Sequence, residues 1–563
     1  MTVSHLSHVF LSYARADGSF VSQLQSDLQA RGIPVWIDHE DIQPGTPDWE
    51  DSLRKAIRHA AAVVLVASPS ARSSRYVKDE LRIAEMYRRP VYPLWAMGNA
   101  WMDAVPIGWG GTQYIDAREE RYQEALHEMV MILEKLNSPA DAADAKPEPG
   151  SLQREPPRNP YKGLHAFRRE DAGDFFGRSR FINALVEALQ KQLATEEQGA
   201  SRARLLTVIG SSGSGKSSVV MAGLLPQLQR GVIAGSQGWV YIEPMAPGQH
   251  PIEALTLALS PSFPARSLKA IREDIENDTA RGLHLLMTTL IAKPEDKVFL
   301  LIDQFEELFT QTVDENERKR FIDLLITAIT EPQGPTIAVL TFRADFYDRP
   351  LSYPELGQLI ESHHMAIFPM EMSELREVIE KPAQLPDVRL TFEGDLVGDL
   401  LFDVQGQVGA LPLLQFTLDQ LFQRRKGRQL TTQAYREIGG VKGALANHAE
   451  ATYASLPSEE HRRLARALFL RLVDPGTTEQ DMTRRRAAFS ELELPDPQET
   501  ATLREVVKIF TTARLLVTNT VAGVSTLEVS AILSTFRQSL CSISRHLLTL
   551  TSQSTTRRRC FVL

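Results

Sequence analysis

The chain has 563 residues, 43% of them hydrophobic and 24% charged, with a formal net charge of -9 and two cysteines, Cys541 and Cys560. That length exceeds what one core organises and implies roughly three or four domains. The acidic balance argues against nucleic acid as a partner, no apolar run reaches membrane-spanning length, and the N-terminus lacks a secretory pattern. A disulfide framework is excluded before residue 541, which fits a reducing cytoplasm.

Residues 5–136 alternate short β-branched runs with helical patterns. His8–Ser12, Ile33–Ile37, Ala62–Ala67 and Val91–Leu94 read as strands. Phe20, Leu24 and Leu28, and later Val77, Leu81 and Ala84, share one face of intervening helices. This order predicts a mostly parallel sheet covered on both sides, with ligands beyond the carboxyl ends of its strands. Residues 137–158, rich in Pro, Ala, Asp and Glu, read as a linker. A second α/β region runs from 159 to 370, with buried strands at Leu205–Ile209, Val298–Ile302 and Thr336–Thr341. From 371 to 530 the pattern is chiefly helical.

Within the second region, Leu205-Leu-Thr-Val-Ile-Gly210-Ser211-Ser-Gly213-Ser-Gly215-Lys216-Ser217-Ser218 is a strand, a glycine-rich loop and a helix start. Glycines let consecutive backbone N–H groups turn towards phosphate oxygens where a side chain would clash. Lys216 is placed to reach the β- and γ-phosphates of ATP or ADP, and the Ser217 hydroxyl to ligate Mg²⁺. The strand Val298–Ile302 ends in Asp303, a second magnesium candidate acting largely through water. Glu306 and Glu307 follow as candidates to polarise the attacking water. Arg343, at the end of the third strand, reads either as a γ-phosphate sensor or as a surface pair with Asp345.

Six motifs occur in order: Asn159-Pro-Tyr-Lys-Gly-Leu-His-Ala-Phe167, Phe175-Phe-Gly-Arg178, the P-loop, Asp303-Gln-Phe-Glu-Glu-Leu308, Phe342-Arg-Ala-Asp-Phe-Tyr347 and Gly409-Ala-Leu-Pro-Leu-Leu414. Together they resemble the prokaryotic "novel STAND" group of signalling NTPases over residues 159–530. The resemblance implies an AAA-like P-loop domain over 159–370, a helical lid over 371–450 and a winged-helix-like domain over 451–530. It also implies that Phe176–Arg178 lies near the adenine and that Pro412 closes the pocket from the lid. Such proteins rest with ADP and open on ATP and a trigger, so slow ATPase activity serves as a switch.

Phe10-Leu-Ser-Tyr-Ala-Arg-Ala-Asp17, Val35-Trp-Ile-Asp38, the loop Asp41-Ile-Gln-Pro-Gly-Thr46 and Ser74-Arg-Tyr-Val-Lys-Asp-Glu80 are similar to a Toll/interleukin-1 receptor (TIR) domain, a flavodoxin-like fold, over residues 5–136. The resemblance implies that the turn Gln43–Pro47 packs one TIR domain against another. Some TIR domains cleave the nicotinamide–ribose bond of NAD⁺ with one glutamate, and Glu80 stands at that place. Tyr76 stands where the family usually has Trp, and Ser12 and Arg15 are placed to meet the NAD⁺ phosphate. For Glu80 the competing reading is a solvated helix carboxylate; for Ser12 and Arg15 it is ordinary turn chemistry.

The implied function is a nucleotide-switched signalling or defence protein. A STAND ATPase module would control self-association of a TIR effector that cleaves NAD⁺ to nicotinamide and an ADP-ribose product. The alternative is a non-catalytic adaptor acting through TIR–TIR contact. A cytoplasmic location follows, with no membrane or nucleic acid as partner and with an unidentified trigger. After Ser525-Thr-Leu-Glu-Val-Ser530 the chain leaves the family pattern, and residues 531–563 read as an atypical, disordered tail, either from a shifted frame or truncated gene product or as a genuine divergent ending.

Overall fold

The computed structural model describes residues 8–37, 49–137, 156–197, 203–278, 280–293, 295–405, 410–474, 483–484, 487–513, 515–521 and 524–529. The turn Gln43–Pro47, Gly409, most of the expected linker and the whole 531–563 tail lie outside them. Two compact units form: Met1–Pro156 with Phe392–Asp403, and Pro157–Thr391 with Val404–Leu563.

The first unit is built on a parallel sheet in the order β2-β1-β3-β4-β5. Its strands are β1 (Val9–Ser12), β2 (Val35–Trp36), β3 (Ala62–Ala67), β4 (Val91–Trp95) and β5 (Ile115–Asp116). Every residue of β1 and β3 is buried, as expected of a sheet covered on both faces. The helices are α1 (Gly18–Gln29), α2 (Trp49–His59), α3 (Arg75–Met86) and α4 (Tyr122–Asn137). On α1 the buried set is Val21, Leu24 and Leu28. Phe20 sits at the margin, its ring edge-on to Tyr122 at 5.6 Å. On α3, Val77, Leu81 and Ala84 are buried as the spacing predicts. The segment Phe392–Asp403, containing most of the helix Leu396–Val404, belongs to this unit.

The second unit also centres on a parallel sheet, in the order β10-β6-β9-β8-β7. Helix α5 (Ser179–Glu197) precedes β6 (Leu205–Gly210). Beyond the loop, residues 216–229 form α6, made of Lys216–Ser218, a π-helical stretch Val219–Leu224 and Leu225–Gln229. Then come β7 (Val240–Tyr241), β8 (Val298–Ile302), β9 (Thr336–Arg343), β10 (His364–Ala366), α7 (Met372–Gln384) and α8 (Ala410–Gln423). Alternation with period two feeds two separate cores. Val298, Leu300 and Ile302 join Ala338, Leu340 and Phe342 on one face, and Phe299, Leu301, Ile337 and Val339 lie on the other. Further along, helices Glu459–Leu472 and Pro497–Thr512 accompany an antiparallel hairpin of Leu516–Val521 and Val524–Val529.

Candidate functional site

In the second unit β6 lies between β9 and β10, where the connections diverge to opposite sides, so the loop leaving β6 opens on a crevice at the carboxyl end of the sheet. Gly213 and Gly215 take φ values of 74° and 89°, a left-handed conformation that glycine adopts without strain. At Gly210 the constraint is space: a Cβ would lie 2.4 Å from Ile367 Cγ2 and 2.9 Å from Ser214 Oγ. Gly223, inside the π-helical stretch, leaves room for Ile182 of α5, whose Cδ1 would stand 2.6 Å from an added Cβ. Four glycines thus fit the loop and its helix to their neighbours for two reasons, a left-handed backbone at Gly213 and Gly215 and close approach at Gly210 and Gly223.

A cavity of about 740 Å³ opens over this loop. Gly213 to Ser218, Arg178, Gln304, Glu306, Glu307, Thr341, Arg343, Leu411 and Pro412 line it, so the sequence candidates converge. Lys216 is 8% exposed, and its ammonium donates to the carbonyls of Gly210 and Ser211 at 3.0 and 2.8 Å. Ser217 Oγ donates to Asp303 Oδ1 at 2.8 Å, and Thr341 Oγ1 donates to the same oxygen at 2.5 Å. Thr341 also accepts from the Gln304 backbone N–H at 2.9 Å, which fixes the carboxylate at the end of β8. The sequence reading missed Thr341; its position at the end of a buried strand beside Arg343 was the available signal.

Arg178 and Arg343 are tied more closely to protein than the sequence suggests. Arg178 is buried, donates to Phe368 O at 2.9 Å and Ser214 O at 3.3 Å, and faces Glu374 at 3.7 Å. It thereby staples the P-loop to the segment after β10. Arg343 pairs with Asp345 at 2.5 Å, the second of its two expected readings, while still lining the cavity.

A magnesium nucleotide fits these groups. Ser214 Oγ is buried without a hydrogen-bond partner beside the loop amides. Ser217 and Asp303 offer a hydroxyl and a carboxylate, oxygen ligands of the kind a hard cation takes, with water and phosphate completing the set.

Burial sets the electrostatics. Desolvation raises the Glu306 pKa above the ordinary glutamate value against the lowering pull of Lys216 and Arg343, and desolvation lowers that of Lys216. Below the ordinary glutamate pKa both folded and unfolded forms are protonated, and Glu306 costs nothing. As pH rises above it the unfolded carboxylate ionises first, so stability is lost. Glu306→Gln is therefore expected to raise the apo melting temperature by about 2–4 °C at neutral pH. That gain should shrink as pH falls towards the ordinary glutamate pKa. Scanning calorimetry of both proteins across pH checks the sign.

In the first unit, β1 sits at the corresponding divergence between β2 and β3. Ser12, the last residue of β1, donates through Oγ to Glu80 Oε2 at 2.6 Å. Both are buried, Glu80 at 4% exposure, which rules out the solvated-carboxylate reading. Tyr76, one helical turn earlier on α3, is 58% exposed. Arg15 lies exposed in the turn after β1. A second buried pair was not singled out from sequence: Ser68 Oγ donates to Asp17 Oδ2 at 2.6 Å and accepts from the Ala71 amide, bracing the ends of β1 and β3. Beyond β4, Arg118 stacks 3.4 Å from Trp95, and Trp101 stacks on Tyr114 at 4.3 Å. Hydrogen bonds from Arg118 draw the Asp116 pKa down to about 2.

Taken together, fold and site define a P-loop NTPase module in a chain that opens with a flavodoxin-like parallel-sheet domain. The pattern of the family described as Novel STAND NTPase 1 matches residues 160–535, and that of the TIR domain matches residues 9–130. The chain belongs to the Novel STAND NTPase 1 family and carries a TIR domain at its front. The pairing makes it a nucleotide-regulated signalling or defence protein.

Among solved structures it is similar to the TIR domain of the Toll-related receptor TRR-2 from Hydra magnipapillata, with 18% identity over 22% of this chain and 97% of that one and a TM-score of 0.20. It is also similar to the ORC2 protein of Aeropyrum pernix, with 13% identity, 67% and 95% coverage and a TM-score of 0.37. A TIR-STING receptor from C. gigas shares 18% identity, with 38% and 58% coverage and a TM-score of 0.21. No curated protein matches the chain. Among the described residues no helix is long and apolar enough to cross a membrane.

Proposed function

We propose that the protein is a nucleotide-controlled NAD⁺ nucleosidase: the STAND module binds ATP or ADP at Lys216, and its state governs self-association of the TIR domain, whose Glu80 directs cleavage of NAD⁺. The observation that supports this reading most is the buried Glu80 carboxylate, held by Ser12 at the carboxyl end of β1.

The chemistry suits one carboxylate. The bond from ribose C1′ to the pyridinium nitrogen breaks, its electron pair stays on nitrogen, and nicotinamide departs neutral. No general acid is needed, in contrast to an ordinary glycoside. Glu80, fixed and shielded from water, stabilises the oxocarbenium-like ribose. Water then adds at C1′ and releases a proton, giving ADP-ribose. Tyr76 would offer an aromatic wall to the base, and Arg15 a cation to the phosphates.

In the STAND module, Lys216 and the loop amides from Gly210 to Ser218 would grip the phosphates. Ser217 and Asp303 would hold magnesium, which supplies charge neutralisation between phosphate oxygens. Glu306, kept protonation-competent by burial, or Glu307 would orient the water for slow ATP hydrolysis. Leu411 Cδ1 lies 3.9 Å from where a Gly215 Cβ would be, which supports reading α8 with Pro412 as the cover of the loop.

Nicotinamide release by the concentrated protein, measured side by side with ATP, with ADP and for Lys216→Ala, tests the proposal. ATP-dependent release supports it; no release under assembling conditions favours the adaptor reading. Ser12→Ala is expected to lower kcat about tenfold with little change in KM, because the lost hydrogen bond orients Glu80 rather than binding substrate.

A further inference from the structure

The most heavily charged contact in the first unit lies away from both sites. Helix α2 presents Arg54 and Arg58, and the turn after α3 presents Tyr87 and Arg89. All four face the acidic helix Leu396–Val404 and the residue just before it, Asp395. Asp399 is 2% exposed and accepts from Arg54 at 2.8 Å, from Arg58 at 3.0 Å and from the Tyr87 hydroxyl at 2.9 Å. Asp395 meets Arg89 at 2.7 Å and Arg58 at 3.7 Å, and Asp403 meets Arg54 at 3.6 Å. The Arg54 guanidinium also stacks 4.3 Å from the Phe402 ring. Gly398 allows the approach: a Cβ there would stand 2.4 Å from Tyr87 Cδ1.

Three carboxylates spaced four apart, two on the helix and one just before it, face three arginines and a tyrosine, with a glycine where the ring enters. Such complementarity selects one partner, and removing the charges of one side alone would leave those of the other buried and unpaired. The segment is covalently continuous at both ends, through Thr391 and Val404, with the unit that contains the nucleotide cavity. It also packs on α3, the helix that carries Glu80.

We infer that residues 392–403 form an acidic strap that docks on the α2–α3 face of the TIR domain, and that this face is released for self-association only when the strap departs. A change of shape around the nucleotide moves the chain at 391 and 404 and so bears on the strap without any wire of intermediate contacts. The inference does not require NAD⁺ cleavage.

The test uses the full chain with ADP, with light scattering for mass and hydrogen exchange for peptides covering 392–403. Gly398→Ala is the sharpest variant. In a free helix this change is stabilising, so a merely structural helix would become better protected. A docked strap would instead lose protection and assembly would rise, because the new methyl meets the Tyr87 ring. Charge reversal on either side, Asp395→Lys/Asp399→Lys/Asp403→Lys or Arg54→Glu/Arg58→Glu/Arg89→Glu, is expected to lower the concentration for half-assembly roughly tenfold or more. Combining both sets should restore wild-type mass, which separates lost docking from lost folding. Unchanged mass in all variants, or no rescue on combination, overturns the strap. Absence of nicotinamide release would count against the NAD⁺ reading alone.

Discussion

Lys216→Ala is expected to lower affinity for ATP and ADP by on the order of a hundredfold or more, read by titration calorimetry with magnesium. The ammonium is the one cation embedded in the loop itself, bound to the Gly210 and Ser211 carbonyls from which it turns to phosphate. Hydrogen bonds between charged partners contribute about 1.5–3 kcal/mol each, so losing two accounts for that factor. Unfolding is not an alternative cause. Burial already lowers the Lys216 pKa, showing that the folded protein holds the charge against a desolvation penalty. The apo melting temperature should therefore hold or rise. A variant that melts normally and still binds ADP with wild-type affinity would remove the phosphate grip from the account.

The second large effect concerns Glu80, where two substitutions separate chemistry from architecture. Glu80→Gln keeps an oxygen to accept the Ser12 hydroxyl but loses the charge, and nicotinamide release should fall by about 10²–10³. Thermal stability should stay close to wild type. Glu80→Ala removes the acceptor as well, leaving the buried Ser12 hydroxyl without its partner at a cost of about 1–3 kcal/mol. Both variants should be inactive, and only the second destabilised. Release by Glu80→Gln at the wild-type rate would move the catalytic role elsewhere, even if Glu80→Ala were dead.

Much of this site was readable from sequence because local chain geometry dictates it. A glycine-rich loop after an apolar strand has few folded forms, and Asp303, read from its place at the end of a buried strand, accepts from the Ser217 hydroxyl. The long buried strands Ala62–Ala67 and Val298–Ile302 match their apolar runs end to end. Short edge strands left no such trace: β5 and β7 have two residues each, and β10 is largely exposed. The buried Glu80 was ambiguous because its hydroxyl partner lies 68 positions earlier, a separation no helical periodicity reports. Arg178 and Arg343 illustrate the converse. The family motif marked Arg178 and a strand end marked Arg343 as ligand contacts, whereas backbone carbonyls and Asp345 engage them in the fold. The strap was invisible for the same reason as Glu80: a carboxylate more than 300 positions away satisfies Arg54.

That separation has a bearing on biosynthesis. The face formed by Arg54, Arg58, Tyr87 and Arg89 leaves the ribosome long before Asp399 is made. At about 5–20 residues per second the nascent front domain waits for tens of seconds with a cationic surface uncovered. During translation on a polysome, neighbouring nascent chains expose the same surface together. The interval before residue 403 emerges is therefore the period in which this face stands without its acidic partner.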